Sequence, residues 1–338
     1  MNTRRLCVTP LLVVVAACSV GSDYERPALA VRTNAVWRQP PEAALTAERM
    51  QLARWWERFG STELSALAVR LVAQNLSLAE ARQRLITVRA RRGIVDADRL
   101  PQVLGTAGYT RAGTGDRSLN FQGPPPGQDV DVYSAGVTAG WELDLWGRVA
   151  RLLEAADADV DVAVEDYRDA AVALLADLAL AYVDASTLHH RLAVANRTVA
   201  LQGETLRLAQ SRLDAGNGTR LDVQQAEREL LTTRAWLPQL QQALAAAENR
   251  IALLVGDRPR DGLVAAGGAL TLPPAIGMGV PADLLERRTD VRRSERRLAA
   301  ATARIGATEA ERYPSISIGG TLALRAQTVS TLTGVPMR

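Results

Sequence analysis

The chain has 338 residues, of which 47% are hydrophobic but only 4% aromatic, and its 40 basic and 37 acidic residues leave a net charge of +3. A chain so close to neutral has no electrostatic footprint for a polyanion, which argues against nucleic acid as a partner. Its apolar content is mostly Ala, Leu and Val, a composition suited to long, closely packed helices.

The N-terminus reads as an address. Arg4 and Arg5 precede an apolar stretch, Leu6 to Ala17, that is too short to span a bilayer as a mature helix. The stretch ends in Val15-Ala16-Ala17-Cys18, which resembles a lipobox: small residues for the signal-peptidase cleft, then a cysteine whose sulfur takes the diacylglyceryl group. Residues 1–17 are therefore expected to be a signal peptide, with Cys18 the site of lipid attachment and 18–60 a lipid-anchored N-terminal segment. In lipoproteins of this kind Asp after the cysteine favours retention in the inner membrane, so Ser19 implies sorting to the outer membrane. Cys7 and Cys18 are the only cysteines, so the rest of the chain holds no disulfide or thiolate metal site. The only histidines, His189 and His190, are adjacent on a predicted helix, point apart and read as a solvated pair.

A first repeat is expected over 61–270, beginning with a helix and followed by strands at about 102–110 and 132–145. Tyr133, Ala135, Val137, Ala139, Trp141, Leu143 and Leu145 alternate with Ser134, Gly136, Thr138, Gly140, Glu142 and Asp144. One apolar face and one small or polar face fit a barrel strand between lipid and an aqueous lumen, or a half-buried strand of a soluble sheet. The Gly- and Pro-rich stretch from Gly113 to Gln128 reads as an exposed loop. A coiled-coil hairpin is expected at about 149–255. Its first seam steps by four and three from Val160 to Leu213, and its second recurs every seven residues from Val223 to Ile251. A helix over 149–213 would be on the order of 100 Å long. Ala215-Gly216-Asn217-Gly218-Thr219 is a turn signal placing the hairpin tip near Gly216, and Pro238 is expected to bend the second helix.

The chain then repeats itself. Arg84, Leu85, Ala90, Arg91, Gly93, Arg99 and Pro101 recur at Arg297, Leu298, Ala303, Arg304, Gly306, Arg312 and Pro314, always 213 residues later. A period this long marks duplication of a whole half-protein. The second copy, 271–338, is expected to hold a helix and a strand at about 315–323. A second tip would fall 213 residues after Gly216, beyond residue 338, so the second copy reads as incomplete and the chain as C-terminally truncated, unable alone to close a barrel or tunnel.

Together these features resemble the TolC-like outer-membrane efflux family, in particular its lipid-anchored OprM/NodT branch. The resemblance is carried by Trp55-Trp56-Glu57-Arg58-Phe59, by Trp141-Glu142-Leu143-Asp144-Leu145-Trp146-Gly147-Arg148, by Leu221 to Glu227, by Glu286 to Val291 and by Tyr313-Pro314-Ser315-Ile316-Ser317. At Thr289 the family usually has Pro. The resemblance implies an α+β membrane protein: a homotrimer whose strands pool into a 12-stranded outer-membrane barrel and whose hairpins form a periplasmic tunnel. It implies a passive export conduit for small molecules such as drugs, with a periplasmic adaptor and an inner-membrane pump as partners. No enzyme activity and no cofactor beyond the lipid on Cys18 are expected, since no phosphate loop, catalytic triad or metal cluster is legible. Ala215, Gly216 and Asn217 match the adaptor-contacting tip, with Ala215 and Asn217 departing from the usual apolar neighbours of the glycine. Asp222 matches an acidic residue that constricts the periplasmic aperture, although Thr219 and Asp222 also have the spacing of a capping box. A protein-secretion channel and a non-channel coiled-coil adaptor lipoprotein remain alternatives.

Overall fold

The computed structural model describes residues 20–26, 52–113, 129–260, 262–265 and 285–333. Cys18 and most of the stretch from Gly113 to Gln128 lie outside these residues. The described elements are α1 (Thr62–Gln74), α2 (Leu76–Ala97), β1 (Gln102–Gly113), β2 (Asp129–Leu143), α3 (Arg148–Asp214), α4 (Arg220–Leu254), α5 (Thr289–Ala310), β3 (Ile316–Ala326) and α6 (Val329–Thr333). They fall into two compact units, one from the described parts of Met1–Arg26, Thr87–Val162 and Glu295–Arg338, the other from those of Pro27–Ile86 and Ala163–Ser294.

The duplication reappears in the backbone. Adding 213 to the ends of α2 gives 289 and 310, the ends of α5, and adding it to Gly113 at the end of β1 gives 326, the end of β3. In both copies a helix stops just before the proline that cannot continue it, Pro101 or Pro314, and a strand follows.

The first unit contains the sheet. Its order is β1-β2-β3 with both pairings antiparallel, so the duplicated strands β1 and β3 run parallel to each other on either side of β2. Among the strand residues whose side chains are described, none is buried. Below the sheet, Ala158, Ala299 and Ala300 pack with Tyr24, and arginines of α5 reach acids of α3, Arg296 to Asp161 at 3.7 Å and Arg304 to Asp159.

The second unit has a conventional core. Leu64, Leu67, Ala68 and Leu71 of α1 pack on Leu178, Ala181, Tyr182 and Ala185 of α3, and on Ile251, Ala252, Leu254 and Val255 at the end of α4. Burying each Leu, Ile or Val side chain among these contributes about 1.5–3 kcal/mol. Ser61, Tyr182 and Asn75 bring polar groups to this core and find partners there. Ser61 caps α1 by accepting the Leu64 N–H at 3.0 Å and also contacts the Tyr182 hydroxyl at 2.8 Å. Asn75, at the break between α1 and α2, accepts the Leu78 N–H and donates to the Leu254 carbonyl, both at 2.8 Å.

The hairpin seams are legible as burial. Leu192, Ala195, Val199, Gln202, Leu206, Ala209 and Leu213 on α3 are half-buried, as are Val223, Ala226, Thr233, Leu237, Leu240, Leu244 and Ala247 on α4. Leu230 of the α4 seam is 4% exposed, and Ile251 is buried where the seam enters the core, whereas the positions named above keep part of their surface open. Pro238 lies inside α4, which continues through it. The expectation of a solvated histidine pair is corrected: His190 is exposed, but the His189 side chain is 17% exposed and lies 3.7 Å from Glu248 of α4. The contact between α3 and α4 is wider than the seam positions alone, and His189 sits on its margin.

Because Asn75 satisfies two otherwise orphaned backbone groups, Asn75→Ala is expected to destabilise the second unit by about 2 kcal/mol. The measurement is the guanidinium unfolding midpoint, with faster hydrogen exchange at the Leu78 amide as the local signature.

Candidate functional site

At the hairpin tip α3 ends in a tight glycine cap. The Asn217 N–H bonds to the Arg212 carbonyl at 2.8 Å, and the Gly216 N–H to the Leu213 carbonyl at 3.0 Å. Gly216 has φ +78°, the left-handed conformation this cap requires. A Cβ added at Gly216 would meet nothing within 4 Å, so the backbone angle and not crowding explains the glycine. Ala215, Gly216 and Asn217 are all exposed.

Three residues on, the capping box is complete. Thr219 accepts the Asp222 N–H at 3.2 Å, and Asp222 accepts the Thr219 N–H at 3.0 Å and the Thr219 hydroxyl at 2.7 Å. These bonds, led by that from the Thr219 hydroxyl, hold the exposed Asp222 carboxyl below its ordinary value. Asp222 therefore orders the start of α4, whatever else it does.

The sheet is the second candidate surface. Its register lines up one apolar face across three strands: Val103 opposite Ala139, Val137 opposite Leu322, Ala135 opposite Leu324 and Trp141 opposite Ile318. The other face carries Thr106 opposite Gly136, Gly108 opposite Ser134 and Thr138 opposite Thr321, with Leu104, Val130, Val132 and Ala323 as apolar positions among them. On the apolar face Val103 is 67% exposed, Ile318 59% and Leu322 77%. Aromatic rings mark both ends of this face. Tyr109 and Tyr133 pair at 5.0 Å near one end, and Trp141 lies near the other. Tyr133 and Trp141 are eight residues apart, about 26 Å along a strand.

The residues from Trp141 to Arg148 build the exit from the sheet. The Trp141 indole N–H donates to the Arg99 carbonyl at 3.1 Å, in the first copy's helix-to-strand junction. Trp146 stacks on Tyr313 at 4.8 Å and donates to the Pro314 carbonyl at 2.9 Å, in the equivalent junction of the second copy. Glu142 pairs with Arg148 at 3.0 Å. Asp144 accepts the Val149 and Ala150 N–H groups at 3.1 and 2.8 Å and so caps α3, and Gly147 turns the chain with φ +76°. The sequence flagged this segment but not these partners. It also gave no sign of the tyrosine pair, because Tyr109 and Tyr133 meet only once the register is set. Among the described residues no group of three or more His, Cys, Asp or Glu could hold a metal ion.

Comparison with known proteins matches residues 67–257 to the family described as "Outer membrane efflux protein". The chain is 28% identical over 326 residues to "Nodulation protein T" of Rhizobium leguminosarum bv. viciae, covering 95% of this chain and 65% of that protein. It is 30% identical to "Toluene efflux pump outer membrane protein TtgF" of Pseudomonas putida, covering 94% and 67%. Among solved structures, the outer-membrane channel OprN superposes with a TM-score of 0.77 and 33% identity, covering 93% of this chain and 69% of that one. The chain thus spans about two thirds of the length of these relatives.

Thr219→Ala is expected to weaken the first turn of α4 by about 1 kcal/mol. The depressed Asp222 carboxyl contributes only above the ordinary carboxylate pKa, and its contribution is lost as pH falls through the lower folded value. Amide exchange near residue 222 should therefore separate native protein from Asp222→Asn at neutral pH, with the difference starting to shrink at about pH 4 and vanishing only below the lower folded value.

Proposed function

The chain belongs to the outer membrane efflux protein family, and on that premise we propose that it is a subunit of an outer-membrane export channel. The observation that carries this reading is the apolar sheet face, in register across β1, β2 and β3, exposed, and edged by tyrosines at one end and tryptophan at the other. An outward apolar band flanked by aromatic girdles is the signature of a membrane barrel, with the small and hydroxylated face turned to a watery lumen. Water is a poor solvent for so much exposed Val, Ile and Leu, and a three-stranded sheet has two open edges that lipid does not tolerate. Strands pooled from several copies would close those edges, but a 12-stranded trimer takes four strands from each copy, one more than the three among the described residues.

In this reading the α3–α4 hairpin is one stave of a periplasmic tunnel. Its half-buried seams would be covered by neighbouring helices. The conduit is passive and carries small molecules, with energy supplied by an inner-membrane pump joined through a periplasmic adaptor. Ala215, Gly216 and Asn217 at the exposed tip are the proposed adaptor contact, and Asp222 is proposed to narrow the aperture while capping α4. Cys18 is proposed to carry the lipid.

The alternation gives a direct test. Apart from Cys18 the chain beyond the signal segment has no cysteine, so an environment-sensitive dye can be placed by single substitutions. Dye at Val137→Cys and Leu322→Cys should emit as from lipid, and dye at Thr138→Cys and Thr321→Cys as from water. Equal emission at all four positions would exclude a membrane sheet. In planar bilayers Asp222→Ala is expected to raise conductance, and unchanged conductance would leave Asp222 only its capping role. Palmitate-analogue labelling should be abolished in Cys18→Ala.

A further inference from the structure

Residues 20–26, which follow Cys18 directly, are held to the first unit by a set of contacts that centre on one side chain. Arg151, on the first turn of α3, is 6% exposed. Its guanidinium donates to the Val20 carbonyl at 3.3 Å, the Gly21 carbonyl at 3.0 Å, Asp23 at 2.7 Å and Glu154 at 2.8 Å. The Val20 N–H donates to the Trp146 carbonyl at 3.0 Å. Gly21 has φ +98°, and a Cβ there would come within 2.6 Å of the Gly306 Cα on α5. Farther on, Tyr24 packs on Ala158, Ala299 and Ala300, and Arg26 pairs with Glu295 at 3.1 Å. A buried arginine whose donors are spent on two carbonyls and two carboxylates is costly to leave half-satisfied, so these bonds form together or not at all.

We propose that Arg151 is the positioning residue for the membrane anchor: it clamps the segment after Cys18 onto α3 and α5, so that a lipid on Cys18 is delivered at the Trp146–Tyr313 end of the sheet. The anchor half of this statement rests on the lipid reading of Cys18, and the clamp does not. Cys18 precedes Val20 by two residues, a reach of at most about 7 Å. With Val20 bonded to the exit of β2, the acyl chains enter the bilayer where the barrel begins. A lysine could not do this, because a single ammonium lacks the planar fork that reaches several acceptors at once.

The duplication supplies an internal control. Gly306 has its counterpart in Gly93, where a Cβ would meet nothing within 4 Å. Among the described residues the clamp is therefore a property of the second copy's helix and not of the first's.

The test is chymotrypsin cleavage after Tyr24 in the full chain extracted from membranes, followed by mass spectrometry of the product that begins at Glu25. The native chain should be cut slowly. Arg151→Ala, with helix content by circular dichroism unchanged, should be cut at least tenfold faster, and Gly93→Ala at the native rate. Gly21→Ala alters only the clamped segment, so it decides the matter if Arg151→Ala fails to fold, and it too should be cut at least tenfold faster. Native-like cleavage of Gly21→Ala, or cleavage of the native chain as fast as an unstructured peptide, would overturn the clamp. Palmitate labelling on the same samples separates the two readings. Protection at Tyr24 without label would remove the lipid and with it the delivery of an anchor, leaving Arg151 a clamp on the segment alone.

Discussion

Inside a hydrocarbon layer there is no water to take up the outer N–H and C=O groups of a strand, and each one left unpaired costs several kcal/mol. The sheet β1-β2-β3 has two such edges, one along β1 and one along β3. Everything else in the first unit is consistent with that constraint. The apolar face is continuous across three strands because any break would put a polar side chain in lipid. The helices stop at Pro101 and Pro314, where the chain changes from a segment that can hydrogen-bond to itself to one that cannot. Trp141 and Trp146, at and just past the end of β2, each spend the indole N–H on a backbone carbonyl, that of Arg99 in one helix-to-strand junction and that of Pro314 in the other.

The second unit obeys a different rule. Its cluster of Leu, Ile and Tyr182 is closed on all sides, as in a soluble protein. Along the hairpin the packing thins to one stripe on each helix, half-covered at most positions and closed at Leu230. Such helices have more apolar surface than a single partner can use, and small residues in the seam let others approach closely. Long, weakly self-sufficient elements beside a compact node suit a part that completes itself by assembly.

Much of this was legible in the sequence because it is periodic. A two-residue alternation, a seven-residue seam and a 213-residue repeat are each visible in one dimension, and Gly216, Thr219 and Asp222 act on near neighbours. What was hidden depends on distant pairs. Tyr109 meets Tyr133 across a strand pairing, Trp146 meets Tyr313 from 167 residues away, and Arg151 reaches back to Val20 and Gly21. His189 and His190 point apart on one helix and so read as a solvated pair; Glu248 comes from the other arm of the hairpin.

The contrast between Gly93 and Gly306 bears on how a duplicated protein ages. The N-terminal segment running past α5 gives Gly306 a neighbour that Gly93 lacks among the described residues. Gly306 is bound to stay small for as long as that segment runs beside it, while Gly93 is free of that obligation. Sequence divergence between the halves is thus steered by a stretch of chain that belongs to neither.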